Sequence, residues 1–537
     1  MAQPLQSINL VAPAFKGINT EDSPIAQDPS FAEIADNAVI DKRGRIAARK
    51  GNDVITTNKT ELGTDFIHKI NYFYDDAGNT KLFSVGNNKI LSGTTTLVNE
   101  SASIISGGYT ISGNNWKMLN FNDAAYFFQR GLEPLIYTNS GGLQTWGQYN
   151  GTATSSQYFC HEALAAYGRL WIVDNAADTQ TIYWSDLLIG TSFTGGSSGS
   201  IDVSKAWPDG YDEVRALAAH NNLLIVFGKH SIIVYQGASS PSTMSIADTV
   251  AGVGCVCRNS VQHIGTDVLF LDQSGLRSFG RTIQEKSMPI NDLSLNIKTE
   301  FIQAIEGRTG PTSSVFSPEN SFYLISFPNQ QITYCFDLKG TLENGAYRVT
   351  RWPSNQFKSY ERKTDGTLYI GTVDGIGEYS GYSDNGVSYR FRYYSPGLTF
   401  GDPSKLKILK KLRPTIVGAN SATVIMYWGY DLTTDYRSAE FTVGNQIPFY
   451  FSSPTNVQGG FIAAGGLSEY SDPRDAQGEP IGAGGLAQFT GGALTSRRQI
   501  NATGGGSIVT VGLESAINGF PLSLQEINVL VLIGKTL

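Results

Sequence analysis

At 537 residues the chain exceeds what one ordinary core supports, since single cores stop growing near about 250–300 residues, so one large repetitive domain with smaller companions is expected. Its 11% aromatic and 16% charged residues, with 59 Gly, 27 Phe and 26 Tyr, favour aromatic strands and Gly turns over long helices. A formal charge of −7 excludes a domain-wide basic field of the kind that coats nucleic acid.

The first fifteen residues hold no Lys or Arg and no uninterrupted apolar segment. The longest apolar run near the end, Val529–Ile533, falls far short of the roughly 20 residues a bilayer needs. Neither an export signal nor a membrane span is expected. Cys160, Cys255, Cys257 and Cys335 are scattered, as buried reduced thiols are, and no disulfide is expected.

Residues 13–51 begin with loop punctuation and end in an expected hairpin, Ala38–Asp41 and Arg45–Arg49 around Lys42-Arg43-Gly44. Within them stand Phe15-Lys16-Gly17-Ile18-Asn19, Ala35-Asp36-Asn37, Gly44 and Arg49-Lys50-Gly51. This succession resembles the N-terminal segment of the tail nozzle proteins of short-tailed double-stranded DNA bacteriophages, also called tail tubular protein B or packaged-DNA stabilisation proteins. The resemblance implies a structural virion protein, assembled in the host cytoplasm into a homo-hexameric ring at the end of the tail. It also implies an adaptor protein and tail fibres or spikes as partners, with genomic DNA retained and then passed at ejection. Phe15, Lys16, Gly17, Asn19, Asp36, Asn37, Arg49 and Gly51 become candidate adaptor contacts.

The stretch His220–Tyr235 reads as two strands, Leu223–Phe227 and Ser231–Tyr235, turning through Gly228-Lys229-His230. Both arms are apolar at nearly every position, so other sheets must cover both faces. The centres of comparable apolar strands fall at Phe83, Tyr126, Trp171, Ile225, Phe270, Tyr323 and Tyr369, some 43 to 54 residues apart. Such a beat, with several short strands per repeat, predicts a β-propeller of six to eight blades over 66–380, between an N-terminal extension (1–65) and a C-terminal β-sandwich-like domain (381–537). Inside the propeller, Leu293, Ile297, Phe301 and Ile305 at spacings of four predict an amphipathic helix over Asn291–Glu306.

Beyond Ser380 the beat stops. Lys405, Lys407, Lys410, Lys411 and Arg413 alternate with apolar residues, which predicts a strand with one solvated face; the sharper reading is a basic rim facing DNA or another subunit. Residues 453–506, rich in Gly pairs, cannot build a packed core and are expected to form a long loop.

Chemistry finds little support. None of the five His stands in a His-x-x-x-His or His-Glu-x-x-His pattern, and Cys255-Val-Cys257 lacks a second ligand pair for zinc. Cys160 and His161 would point to opposite faces of a strand. The turn Asp384-Asn385-Gly386 is a single degenerate copy of the repeats that mark sialidase-like propellers. No cofactor, metal or catalytic residue is assigned. A carbohydrate-binding or glycan-degrading propeller is the alternative, with the seven Trp able either to stack sugars or, more simply, to fill the blades.

Overall fold

The computed structural model describes residues 5–285, 292–310, 312–353, 355, 357–419, 421–443 and 495–536. They divide into two compact units, one of Lys16–Ser23 and Lys50–Gly386, the other of Met1–Phe15, Pro24–Arg49 and Val387–Leu537.

The larger unit is a β-propeller. Among the described residues seven antiparallel sheets follow one another, at 69–99, 117–145, 160–202, 214–251, 262–278, 313–353 and 359–380. Five count four strands, the one at 262–278 counts three, and 313–353 supplies four strands of a larger, nine-stranded sheet. Each strand centre expected from the sequence lies in the second strand of a different sheet.

The hairpin at 223–236 shows why the repeat was needed. Leu223–Gly228 pairs with Ser231–Gln236, and Val214–His220 and Ser245–Ala251 flank them. One face, with Leu224, Val226 and Ile233, packs on Trp171, Val173 and Ile182 of the preceding sheet. The other, with Ile225, Phe227 and Ile232, packs on Val268 and Phe270 of the next. Each such side chain contributes about 1.5–3 kcal/mol by leaving water, but only when both neighbours are present.

Ring closure uses the same device. Tyr369 and Ile376 of the last sheet share a core with Ile70, Leu82 and Leu91 of the first. The outer strand of that last sheet is Gly51–Val54, paired with Gly375–Ser380, so a strand that precedes the first blade completes the last. Residues 1–65 are therefore no separate extension: 51–54 belong to the propeller, and the strands before them join the smaller unit. Pairing a strand from the start of the chain with the last sheet fastens the ring where it closes.

The expected helix is shorter than its apolar pattern. A 3-10 turn at Leu295–Ile297 leads into Lys298–Glu306, and Asn291 lies outside the described residues. Leu293, Ile297, Phe301 and Ile305 are all buried.

The smaller unit holds two antiparallel sheets. In one, Lys405–Gly418 pairs along Leu522–Thr536, which Gln6–Val11 and the hairpin strand Ile46–Ala48 also join. In the other, Ile34–Asp36, Tyr389–Tyr394, Val509–Ile517, Thr423–Tyr430 and Arg437–Thr442 lie side by side. Most of the Gly-rich 453–506 lies outside the described residues.

Candidate functional site

The N-terminal residues singled out from the sequence have roles within the chain itself. Asn37 stands where the backbone leaves the strand Ile34–Asp36 of one sheet and enters Ala38–Ile40 of the other, with φ at 51°, a conformation Asn tolerates better than most residues. Its Nδ2 donates to the Arg390 carbonyl at 2.8 Å, and its Oδ1 accepts from Arg49 Nε at 3.0 Å. Arg49 is 1% exposed. Asp36, also buried, pairs with Arg392 at 3.3 Å.

Close approach explains the glycines. A Cβ on Gly17 (φ +80°) would sit 2.6 Å from Val349 N, one on Gly44 (φ +77°) 2.7 Å from the Phe15 ring, and one on Gly51 1.8 Å from the Ser383 carbonyl oxygen. Ile18 N donates to the Val349 carbonyl at 2.8 Å, which fastens this segment to the propeller. Asn19 forms a local turn, its Oδ1 accepting from Glu21 and Asp22 backbone N–H groups at 3.0 and 3.2 Å. That turn presents Glu21, whose carboxylate accepts from Thr299 N at 2.6 Å and Thr299 Oγ1 at 2.9 Å, capping the helix Lys298–Glu306. Phe15 and Lys16 are half-buried beside these contacts.

The basic strand is not one solvated face. Lys407 is fully buried and donates to the Ser507 carbonyl at 2.6 Å and to that of Asp402. Lys405 pairs with Asp402 at 3.2 Å, and Arg413 donates to Gln499 at 2.8 and 3.0 Å. Lys410 is exposed and Lys411 half-buried. Irregularities in the pairing between Lys405 and Lys407, and again between Leu409 and Lys411, break the simple alternation.

Charge converges instead on the inner strands of the propeller, where no single stretch of sequence announced it. Lys117 Nζ lies 3.0 Å from the wholly buried Glu162, whose other oxygen is 3.6 Å from Arg258. Arg258 also pairs at 2.7 Å with Asp174, equally buried and shared with Arg130. Lys69 and Glu361, on the first strands of the first and last sheets, feel one another electrostatically. Burial raises the Glu361 carboxyl to about 7, against the pull of Lys69, and depresses the Lys69 ammonium.

Where these inner elements begin, Asn115, Gln129, Arg130, His161, Arg215 and Arg258 line a cavity of about 330 Å3. His161 is 6% exposed; burial, reinforced by Arg258, Lys117 and Arg130, holds its imidazole far below the usual range and hence neutral. Its neighbour Cys160 turns the other way, into the core between the second and third sheets, as strand alternation requires.

Arg215 also lines a second cavity of about 330 Å3, which includes Lys229 and Arg308. Among the described residues no group of His, Cys, Asp and Glu is placed to hold a metal. Cys255 and Cys257 lie in a bent segment rather than a strand, the Cys255 thiol donating to the Cys257 carbonyl at 3.2 Å. All seven Trp are buried, none more than 6% exposed, so they fill cores rather than offer stacking platforms. No helix among the described residues is long and apolar enough to cross a membrane.

No protein-family description and no curated protein matches this sequence. Solved structures resemble its propeller. The extracellular domain of BT4673 from B. thetaiotaomicron is 12% identical with a TM-score of 0.39, covering 63% of this chain and 40% of its own. PorZ, a surface component of the type-IX secretion system of Porphyromonas gingivalis, is 12% identical with a TM-score of 0.36 over 63% and 42%. The WD40 domain of Neurospora crassa Pan2 is 9% identical with a TM-score of 0.35 over 62% and 94%. The chain thus spans about two fifths of the first two proteins.

Proposed function

We propose that this chain is a non-enzymatic structural subunit of a short bacteriophage tail, a nozzle protein that forms a ring, closes the channel on packaged DNA and opens it at ejection. The observation that carries the reading is the coherence of the N-terminal motif. Gly17, Asn37, Gly44, Arg49 and Gly51, the residues of the resemblance, each occupy a position that sterics or buried hydrogen bonding reserves for them.

The architecture supports the same reading. A propeller whose blades cover one another on both faces is rigid, which suits a spacer that bears load in a ring. The overall acidic charge suits a bore along which DNA slides without sticking. Function then rests on the surfaces of both units rather than on a catalytic centre. Since Asn37 and Arg49 are consumed inside the fold, an adaptor would be met by the outer surface of the sheets they hold together.

Cryo-electron microscopy of purified virions, with mass photometry of the isolated chain, tests this. Density for a ring of this chain at the distal end of the tail is expected. Virions whose tails lack the chain would refute it.

A further inference from the structure

We infer that the cavity at the start of the inner propeller strands binds a compact oxyanion carried on a sugar-sized, hydroxylated body, such as a uronate carboxylate or a sugar phosphate. This is independent of the ring reading.

The first ground is charge. Among the described residues Arg130, Arg258 and Lys117 pair with Glu162 and Asp174, Lys69 and Glu361 beside them offset one another, and Arg215 is paired with Glu213 at 2.8 Å near the surface. The balance leaves about one positive charge to be met, in a chain that is acidic overall. Guanidinium groups present planar forks that match a carboxylate or phosphate edge.

The second ground is unused hydrogen-bonding capacity. His161 is nine-tenths buried, lines the cavity and has no hydrogen-bond partner among the described residues. Gln129 Oε1, a buried atom of another lining residue, makes no hydrogen bond either, while Arg258 Nη1 is turned toward Glu162 at 3.6 Å. Buried polar groups left without partners are costly, and each such group here borders the same space.

The third ground is size. About 330 Å3 lies at the small end of ligand pockets and exceeds what a bare inorganic anion fills. A neutral imidazole offers one donor and one acceptor, and the amides of Asn115 and Gln129 offer both, which is the equipment for reading hydroxyl groups rather than charge alone. Carboxylate and phosphate share the oxyanion chemistry, and the two sugar probes below separate them.

Isothermal titration of the full chain with glucuronate, glucose 6-phosphate, inorganic phosphate and glucose tests the site. One of the two sugar anions is expected to bind at a single site, with inorganic phosphate at least about tenfold weaker and glucose silent. Arg130→Ala and Arg215→Ala, whose side chains reach solvent, should each weaken that binding about tenfold or more, while Arg413→Ala in the other unit leaves it unchanged. The assignment is overturned if neither sugar anion binds, if binding survives both cavity substitutions, or if inorganic phosphate binds as well as glucose 6-phosphate.

Discussion

The guanidinium carbon of Arg49 lies 4.1 Å from the centroid of the Tyr389 ring, and the Tyr389 hydroxyl donates to the Arg49 carbonyl. The two residues are 340 apart in sequence and hold each other from both ends. Arg49 in turn fixes Asn37, at the corner where the chain changes sheets. Truncating Arg49 to Ala strands a buried amide oxygen and empties the space over the ring. Arg49→Ala should therefore destabilise the smaller unit by about 3 kcal/mol, while Arg43→Ala on the exposed turn beside it shifts stability by less than about 0.5 kcal/mol. Urea unfolding, followed by hydrogen exchange at 34–48 and 389–394, reads the loss. Equal midpoints for the two variants would sink this account of the motif.

Glycine should matter in proportion to what its missing Cβ would strike. Gly17 and Gly78 have nearly the same φ, +80° and +82°, but a Cβ at Gly17 meets Val349 backbone at 2.6 Å and one at Gly78 meets nothing within 4 Å. Gly78→Ala should cost only the conformational strain, about 1 kcal/mol. Gly17→Ala must also push the segment off the strand Tyr347–Pro353, breaking the Ile18 to Val349 hydrogen bond, and should cost roughly 3 kcal/mol. Paired thermal melts decide it, and indistinguishable melting temperatures would count against the docking role of Gly17.

The five basic residues of 405–413 should behave as two classes. Lys407→Ala opens a void and leaves the Ser507 and Asp402 carbonyls without their donor, at a cost of about 2–4 kcal/mol. Lys410→Ala, on an exposed side chain, should stay within about 0.5 kcal/mol. If a polyanion binds this strand, its affinity should fall with Lys410 and not with Lys407. Denaturation midpoints of the two variants provide the first check, and the reverse order would mean that Lys407 does not face inward.

What the sequence could reveal follows from where the signal is stored. The propeller was legible because every second strand, such as Leu223–Gly228, is packed on both faces and so is apolar throughout, and because such strands recur at nearly constant spacing. Lys407 was misread as solvated because pairing irregularities on either side shift the alternation by a residue, which composition does not record. The adaptor candidates were legible as a unit but not as buried clasps, since Arg49 meets Tyr389 only through the fold. The cationic cavity was invisible for the same reason: Arg130, His161 and Arg215 come from three consecutive sheets and Arg258 from the turn that leads into the next. The one available clue was positional, because each borders the start of a first strand or the end of a second.

The paired charges on the inner strands should make stability depend on pH in a definite direction. Glu361 is half-buried, accepts from Tyr72 N at 3.2 Å and has its carboxyl raised from an ordinary 4.5 to about 7 by loss of hydration, with Lys69 pulling the other way. Between those two values the folded chain keeps a proton that the unfolded chain has lost. Stability must then fall as pH rises from about 4.5 to about 7, and this contribution must level off above the folded value. Glu361→Gln keeps the size of the side chain and abolishes the titration. Its melting temperature relative to the native chain should be nearly unchanged near pH 4.5 and should gain steadily up to pH 7, where the native chain carries the cost of an ionised Glu361. Other groups that titrate in this window cancel in the difference, apart from Lys69, which loses a nearby anion and should become easier to deprotonate in alkaline solution. Melting curves of both chains across pH 4 to 9 give the answer, and a difference that does not vary between pH 4.5 and 7 would show that Glu361 ionises as freely in the fold as in water.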